Sequence, residues 1–349
     1  MSIDLSVVEG DYFRDLLSQP DALRDTLDQL KESKELQVLA TRLQKHKFKS
    51  VVLTGMGSSF HALNPLLLQL TNAGHPTMMV ETSELIYYRR QLLNPDSLIV
   101  AVSQSGRSAE MIRLLKENHG RAPLIAVTNT ADSPLARRSN ALLLTRAGEE
   151  FSVSCKTYVC ALLALKSLGD QLCGIPANRT REELNFILPA TTHYLARWKQ
   201  YVESMLPQLA GIRQLFLVGR GPSLAAVGTG ALILKESTQF PSEGLSSAAF
   251  RHGPFEMVGP ETFVLIFLGD TKTRELNKRL LADIRANAGR AELVAQDSGD
   301  CAYCLPKVPP SLLPIMEILP VQMLTLALAA INGRQPGKFR LASKITTTE

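Results

Sequence analysis

Short apolar runs alternate with longer segments of helical periodicity along the first half of the chain. These runs lie at 50–54, 77–80, 97–102, 123–127 and 141–144. Strands of four to seven residues that are separated by helices are typical of a parallel sheet with both faces covered. A long apolar helix over 156–169 closes this predicted unit.

The same arrangement returns in the second half. Segment 215–218 predicts a strand, and GRGPSLAA at 219–226 follows it with the spacing that GMGSSFHA has at 55–62. Further strands are predicted at 262–268 and 293–295. We therefore predict an internal duplication. The fold class is α/β, with two tandem domains, each a doubly wound, flavodoxin-like parallel sheet flanked by helices.

The segments outside these units are helical in pattern. Leucines among alternating charges predict helix over 1–45. The apolar stretch 312–332 predicts a buried final helix, in which Pro320 marks a break or a late start. The predicted boundaries are an N-terminal helical segment at 1–35, a first domain at 36–173, a helical linker at 174–200, a second domain at 201–339 and a tail at 340–349.

Composition narrows the class of protein. The 349 residues include 38 basic and 33 acidic ones, which gives a net charge of +5, and only 6% are aromatic. Because basic residues form no long cluster and aromatic residues are sparse, we expect no nucleic-acid partner. We expect no membrane partner either, since no signal-peptide pattern and no uninterrupted apolar span of membrane length occurs.

The cysteines indicate the redox setting. Five cysteines, an odd number, occur without a signal peptide, which favours a reducing compartment and a cytoplasmic location. Cys301 and Cys304 form a single CxxC with no second pair at a zinc-binding spacing. We therefore give that pair no role, and we expect neither a metal nor a cofactor.

Two strand-to-helix turns carry polar side chains. GMGSS follows the first strand, but Phe60 stands where a dinucleotide-binding turn has its third glycine. SQSGRS at 103–108 follows the third strand and places three hydroxyls and an amide at a helix start, which suits a phosphate. Since GK[ST] is absent, a nucleoside triphosphate is disfavoured. Capping of the helix by Ser105 or Ser108 is the alternative, and the density of hydroxyls favours the phosphate.

These motifs, in this order, resemble those of the sugar-isomerase (SIS) family, and within it the isomerase half of the glucosamine-6-phosphate synthases. The resemblance covers about 20–349. It rests on GMGSSFHA, SQSGRS, GEEFSVSCKTY, GALILKE, SEGLSSAAFRHGP and the final LASKITTTE. The glutaminase domain of the synthases has no counterpart in these residues, so we expect no glutamine-driven synthesis.

The resemblance implies a site for a hexose 6-phosphate or an amino-hexose 6-phosphate. Its phosphate-binding positions match Ser59, Ser103, Gln104, Ser105 and Ser108, and positions near the sugar match Ser58, Val153 and Ser154. The segment GEEFSVSCKTY is one residue shorter than the synthase pattern.

The resemblance also implies three catalytic residues and a homodimer with shared active sites. The residue that matches Glu236 transfers the proton between C1 and C2 of the open-chain sugar, a task that a carboxylate can perform. The residue that matches His252 opens the sugar ring from the neighbouring subunit. The tail enters the active site, and the residue that matches Lys344 contacts the sugar or its amine, although Ser343 shifts the lysine by one position.

Two departures from the synthase pattern direct the functional prediction. Ile233 replaces a lysine, and Ala249 replaces an acid three residues before the histidine. We therefore expect a deaminase or deglycase that releases ammonia or an amine. The alternatives are a simple phosphosugar isomerase, a synthase-like aminotransferase and, from another class, a sugar-phosphate-binding regulatory module.

Overall fold

The structure is a computed structural model that describes residues 3–297, 299, 301–341, 343, 344 and 346. Two compact units are present. The first unit comprises 21–150, 156–185 and the described residues of 341–349. The second unit comprises the described residues of 1–20, together with 151–155 and 186–340.

Three helices precede the first strand, and from residue 50 to residue 172 strands alternate with helical segments, as the apolar runs predict. The helices are α1 (Asp11–Leu17), α2 (Gln19–Gln29), α3 (Lys34–Gln44), α4 (Gly57–His61), α5 (Asn64–Asn72), α6 (Thr82–Tyr88), α7 (Ala109–Asn118), α8 (Pro134–Arg138) and α9 (Lys156–Leu172). The strands are β1 (Ser50–Gly55), β2 (Thr77–Glu81), β3 (Ser97–Val102), β4 (Leu124–Thr128) and β5 (Ala141–Leu144).

The five strands form one parallel sheet in the order β2-β1-β3-β4-β5. In its centre Val52 is paired with Met78 on one side and with Ile99 on the other. Helices α6, α7 and α8 bury one face of the sheet, while α9 packs against strands of the sheet and against α3 and α5. Burial on both faces explains why β3 and β4 are apolar throughout.

Except for the helix at 177–184, which belongs to the first unit, the remaining elements build a second sheet and the helices around it. The helices are α10 (Ala177–Leu184), α11 (Ile187–Leu195), α12 (Trp198–Leu209), α13 (Leu224–Thr238), α14 (Ser247–Arg251), α15 (Arg274–Ala286) and α16 (Leu313–Ile331). The strands are β6 (Gln214–Gly219), β7 (Ser242–Ser246), β8 (Thr262–Phe267), β9 (Arg290–Gln296) and β10 (Cys304–Leu305). The order β10-β9-β8-β6-β7 repeats that of the first sheet, and the pairing is again parallel. The predicted fold class is therefore confirmed.

Helix α16 is the centre of the second unit. Every residue from Leu313 to Ala330 is buried, and α12 and α13 pack against it. The expectation of a break or late start at Pro320 is wrong, since the helix runs through this residue. Burial of the apolar surface outweighs the cost of about 3 kcal/mol that an interior proline imposes. Pro310–Ile331 is long and apolar enough for a membrane span, but 94% of its most apolar stretch of 18 residues is buried in the protein.

Helix boundaries differ from the prediction in two further places. Segment 1–45 is divided among a short 3-10 turn and three α-helices, and the predicted helix after GMGSS is divided into α4 and α5. Strands β7 and β10 were not predicted from the sequence. Strand β7 reads SEGLS and lies at a sheet edge with no fully buried residue, so it lacks the apolar run that marks the central strands.

The CxxC pair is joined. A disulfide links Cys301 to Cys304, the first residue of β10, whereas we expected no role for this pair. The spacing of two cysteines is the same whether they are bonded or free, which is why the sequence could not show the bond. Within the described part of the chain, no group of three or more His, Cys, Asp or Glu residues is placed to hold a metal ion.

Candidate functional site

The first candidate feature is the serine loop, residues 103–108, at the carboxyl end of β3. Ser103 and Ser105 are 9% and 8% exposed. The oxygen of Ser103 accepts the N–H of Gly106 at 3.1 Å, and the oxygen of Ser105 accepts the N–H of Arg107 at 3.2 Å. Because a hydroxyl both accepts and donates, each serine can still offer its hydrogen to a phosphate oxygen.

Behind the serine loop, helix α7 begins. Ser108 caps this helix, and its Oγ accepts the N–H of Met111 at 3.4 Å, so the capping interpretation holds for this residue. The amides of the first turn favour an anion in front of them. Gly106 has a φ of 59°, and a Cβ at this position would lie 2.4 Å from Ser133 Oγ. The loop therefore requires glycine here and keeps its compact shape.

A second turn leaves the sheet beside the serine loop. Strands β1 and β3 are neighbours, and a Cβ added to Gly55 would lie 3.1 Å from the carbonyl oxygen of Val102. Helix α4 starts directly after β1, and its serines are half-buried. The structure thus brings the predicted phosphate-site residues of the first unit to one edge of the sheet, namely Ser58, Ser59, Ser103, Gln104, Ser105 and Ser108.

The tail lysine is held by a buried acid. Lys344 Nζ donates to Glu150 Oε2 at 2.5 Å, and the side chain of Glu150 is 0% exposed. Glu150 also accepts the backbone N–H of Thr157 at 3.0 Å and its hydroxyl at 2.7 Å. Charge-assisted hydrogen bonds of this kind are the strong ones. All three residues belong to the first unit.

The tail also contacts the start of α7. The N–H of Ala109, the residue after Ser108, donates to the carbonyl oxygen of Thr346 at 3.1 Å. The first unit therefore carries the serine loop and the tail next to each other. Glu150 is a residue that the sequence analysis missed, because Glu149 beside it is exposed and nothing in the pair shows which glutamate is buried.

Glu236 and His252 belong to the second unit. Glu236 is half-buried near the end of α13. Ile233, the residue that replaces the synthase lysine, is 0% exposed and lies in the core of this unit. His252 is exposed at the end of α14, where its backbone N–H donates to the carbonyl oxygen of Ala249 at 3.0 Å.

Val153 and Ser154 also belong to the second unit, in segment 151–155. Val153 is 0% exposed, and Ser154 is half-buried. The segment is anchored by Ser152, whose hydroxyl donates to the carbonyl oxygen of Gly337 at 2.6 Å. The serine loop and these two residues are thus positioned by different units.

Comparison with known proteins agrees with this architecture. The glutamine–fructose-6-phosphate aminotransferase of Pyrococcus horikoshii is 29% identical over 350 residues, which cover 96% of this chain and 57% of that protein. The chain spans 57–60% of the length of such curated relatives.

Two solved structures share the fold. The C-terminal domain of glucosamine-fructose-6-phosphate aminotransferase from Francisella tularensis superposes with a TM-score of 0.83 at 21% identity, covering 97% of this chain and 100% of that one. A glucosamine-6-phosphate deaminase from Thermotoga maritima gives a TM-score of 0.77 at 19% identity, with the same coverage. The SIS domain matches twice, over 43–169 and 208–332. Because these matches include most of the chain, the protein belongs to the SIS domain family.

Proposed function

We propose that this protein acts on an amino or amine-bearing derivative of a hexose 6-phosphate and releases ammonia or the amine. The observation that carries the proposal is the serine loop, whose two buried hydroxyls lie at the start of a helix. The names of the relatives support the substrate class, since they mention fructose 6-phosphate and glucosamine 6-phosphate. The proposed chemistry needs neither metal nor cofactor, and the proposed location is the cytoplasm.

The proposed roles follow the chemistry of each side chain. His252 opens the sugar ring by moving a proton between the ring oxygen and the hydroxyl. Glu236 takes the C2 proton of the open-chain amino sugar and returns it to C1, while one amine proton passes to O1, so that the aldehyde becomes a C1 hydroxymethyl group and the amine becomes a C2 imine. Water adds to the imine and ammonia leaves, so that glucosamine 6-phosphate and water become fructose 6-phosphate and ammonia. Lys344 stabilises the developing charge on the sugar oxygen.

Release rather than synthesis is supported by Ile233. Its side chain is fully buried, so no cation stands one turn before Glu236 on α13. The synthases carry a lysine at the matching position. Without that charge near Glu236, we expect the protein to catalyse loss of the amine rather than its addition.

Replacing Glu236 tests the chemical step. We expect Glu236→Gln to retain sugar-phosphate binding and to lose turnover by roughly 10²–10⁴-fold, the usual contribution of general acid–base catalysis. The assay supplies glucosamine 6-phosphate and several sugar-amine 6-phosphates and measures released ammonia or amine together with the ketose phosphate. Glu203→Gln, an exposed substitution on α12, is the control and retains full activity.

The same assay separates the alternatives. Interconversion of fructose 6-phosphate and glucose 6-phosphate without release of any amine would replace the deaminase proposal by a simple isomerase. Binding of these ligands without any turnover would favour a regulatory module. Full activity in Glu236→Gln would remove this residue from the mechanism.

Removing the loop hydroxyls tests the phosphate site. The double substitution Ser103→Ala and Ser105→Ala removes two donors to a dianion, each worth roughly 1.5–3 kcal/mol, so affinity for hexose 6-phosphates should fall tenfold or more. Isothermal titration calorimetry measures this affinity. Ser139→Ala, in the same unit after α8, is the control. Unchanged affinity in the double variant would place the phosphate elsewhere.

Neutralising Glu150 tests the anchoring of the tail. Glu150→Gln keeps the size of the side chain and removes its charge, so the contact with Lys344 loses about 1.5–3 kcal/mol. We expect trypsin to cleave after Lys344 at least tenfold faster, as measured by mass spectrometry of the intact protein over time. The control is Glu149→Gln, which changes the exposed neighbour. Equal cleavage rates in both variants would show that the ion pair does not hold the tail.

Mixing two inactive variants tests the shared active sites of the proposed homodimer. If His252 acts across the subunit interface, a hybrid of Glu236→Gln and His252→Ala chains contains one intact set of catalytic residues. Random exchange of subunits should then restore roughly a quarter of wild-type activity. Activity is measured after the two variants are unfolded and refolded together. Failure of the mixture to regain activity, while each variant still forms dimers, would place both residues in the same subunit's site.

A further inference from the structure

The carboxyl edge of the second sheet carries polar side chains that the proposed reaction does not use. Strands β6 and β8 are neighbours, with β7 on one side and β9 on the other. At such a point the chain leaves the two strands in opposite directions, and α/β sheets bind ligands in the resulting crevice. In the first sheet the corresponding strands, β1 and β3, carry GMGSS and the serine loop.

A buried acid lies at this edge. Glu317 of α16 is 1% exposed, and its Oε1 accepts the hydroxyl of Ser223 at 2.7 Å. Ser223 closes the turn between β6 and α13. Oε2 of Glu317 has no hydrogen-bond partner within the described residues. Since buried polar atoms in native proteins are nearly always paired, this oxygen is a position for a ligand group.

The protonation of Glu317 suits a hydroxyl partner. Burial raises the pKa of Glu317 to about 7, and the charge of Asp270 adds to this effect, while the hydrogen bond from Ser223 opposes it. Near neutral pH the carboxyl group therefore exists in both forms. It can donate to a sugar hydroxyl when protonated and accept from one when ionised.

Two arginines follow the same strands. Arg220 comes directly after β6, and Arg274 begins α15, the helix that follows β8. The Nε of each side chain is buried and has no partner among the residues described. The two turns meet, because a Cβ at Gly269 would lie 3.2 Å from Ser223 Oγ and 3.8 Å from the carbonyl oxygen of Arg220. Unused guanidinium donors are suited to phosphate oxygens.

We propose that this edge of the second sheet is a second binding site, for a small phosphorylated polyol. Arg220 and Arg274 bind the phosphate, and Glu317 binds a hydroxyl group of the polyol. A bare phosphate leaves the carboxyl group of Glu317 without a hydroxyl partner, so it should bind more weakly than a phosphorylated polyol. The proposal uses no residue of the reaction above and does not rest on it.

Hydrogen–deuterium exchange with sorbitol 6-phosphate tests the proposal. This probe has no carbonyl group and cannot be isomerised. At saturating probe we expect slower exchange in peptides that cover 219–226 and 268–276, in addition to 103–110. The Ser103→Ala, Ser105→Ala double variant should lose the protection of 103–110 and keep the other two. This variant separates direct binding at the second sheet from an indirect effect of the serine loop.

Substitutions at the site complete the test. Arg220→Gln should raise at least tenfold the concentration of sorbitol 6-phosphate that gives half-maximal protection of 219–226. Arg213→Gln is the matched control, since Arg213 lies at the opposite end of β6, exposed and paired with Glu261 at 3.1 Å. Glu317→Gln should reduce affinity for sorbitol 6-phosphate and leave the weaker binding of inorganic phosphate unchanged. Melting temperatures without ligand establish that each variant is folded.

Three results would overturn the proposal. The first is exchange at 219–226 that does not change with the probe in the wild-type protein. The second is protection that persists in Arg220→Gln or disappears in the serine-loop variant. The third is inorganic phosphate that protects as well as sorbitol 6-phosphate, which would exclude a polyol site. If 103–110 shows no protection in the wild-type protein while 219–226 and 268–276 are protected, that result contradicts the proposed function and leaves this second site standing.

Discussion

In a parallel sheet every strand ends at the same edge, and this constraint determines where the polar turns of the protein lie. GMGSS and the serine loop are more than forty residues apart in sequence, yet β1 and β3 are paired and bring them together. Crossover helices begin at that edge, so their unpaired amides point toward the same space. The site for an anion is therefore a property of the topology, to which the serines add specific donors.

The cost of burying charge gives the tail its position. An ionised carboxylate inside a protein is unfavourable unless it is paired and hydrogen-bonded. Glu150 receives two hydrogen bonds from Thr157 and one from Lys344. The lysine thus completes a set of contacts that the interior of the first unit requires. Lys344, for which the family resemblance implies a contact with the sugar or its amine, is bound in this structure to Glu150.

The central strands could be predicted because continuous apolar runs between glycine-rich turns leave few alternatives. Strand β7 and the two-residue β10 lie at sheet edges, where burial is weaker and the run is absent. Pro320 misled the prediction because local propensity favoured a break, whereas packing on all sides of α16 favoured continuity. The serine loop was visible as a cluster of hydroxyls. The role of Glu150 was not, since it depends on contacts with Thr157 and with Lys344, which is 194 residues away in the sequence.

The late position of helix α16 in the sequence affects how the protein folds during translation. The second unit begins with the described residues of 1–20, but its central helix arrives some three hundred residues later, at Leu313–Ile331. During translation the apolar surfaces of α12 and α13 remain uncovered until α16 leaves the ribosome. Such surfaces favour aggregation of nascent chains. Chaperone binding to ribosome-attached chains that stop before residue 313 should therefore exceed binding to chains that include the helix.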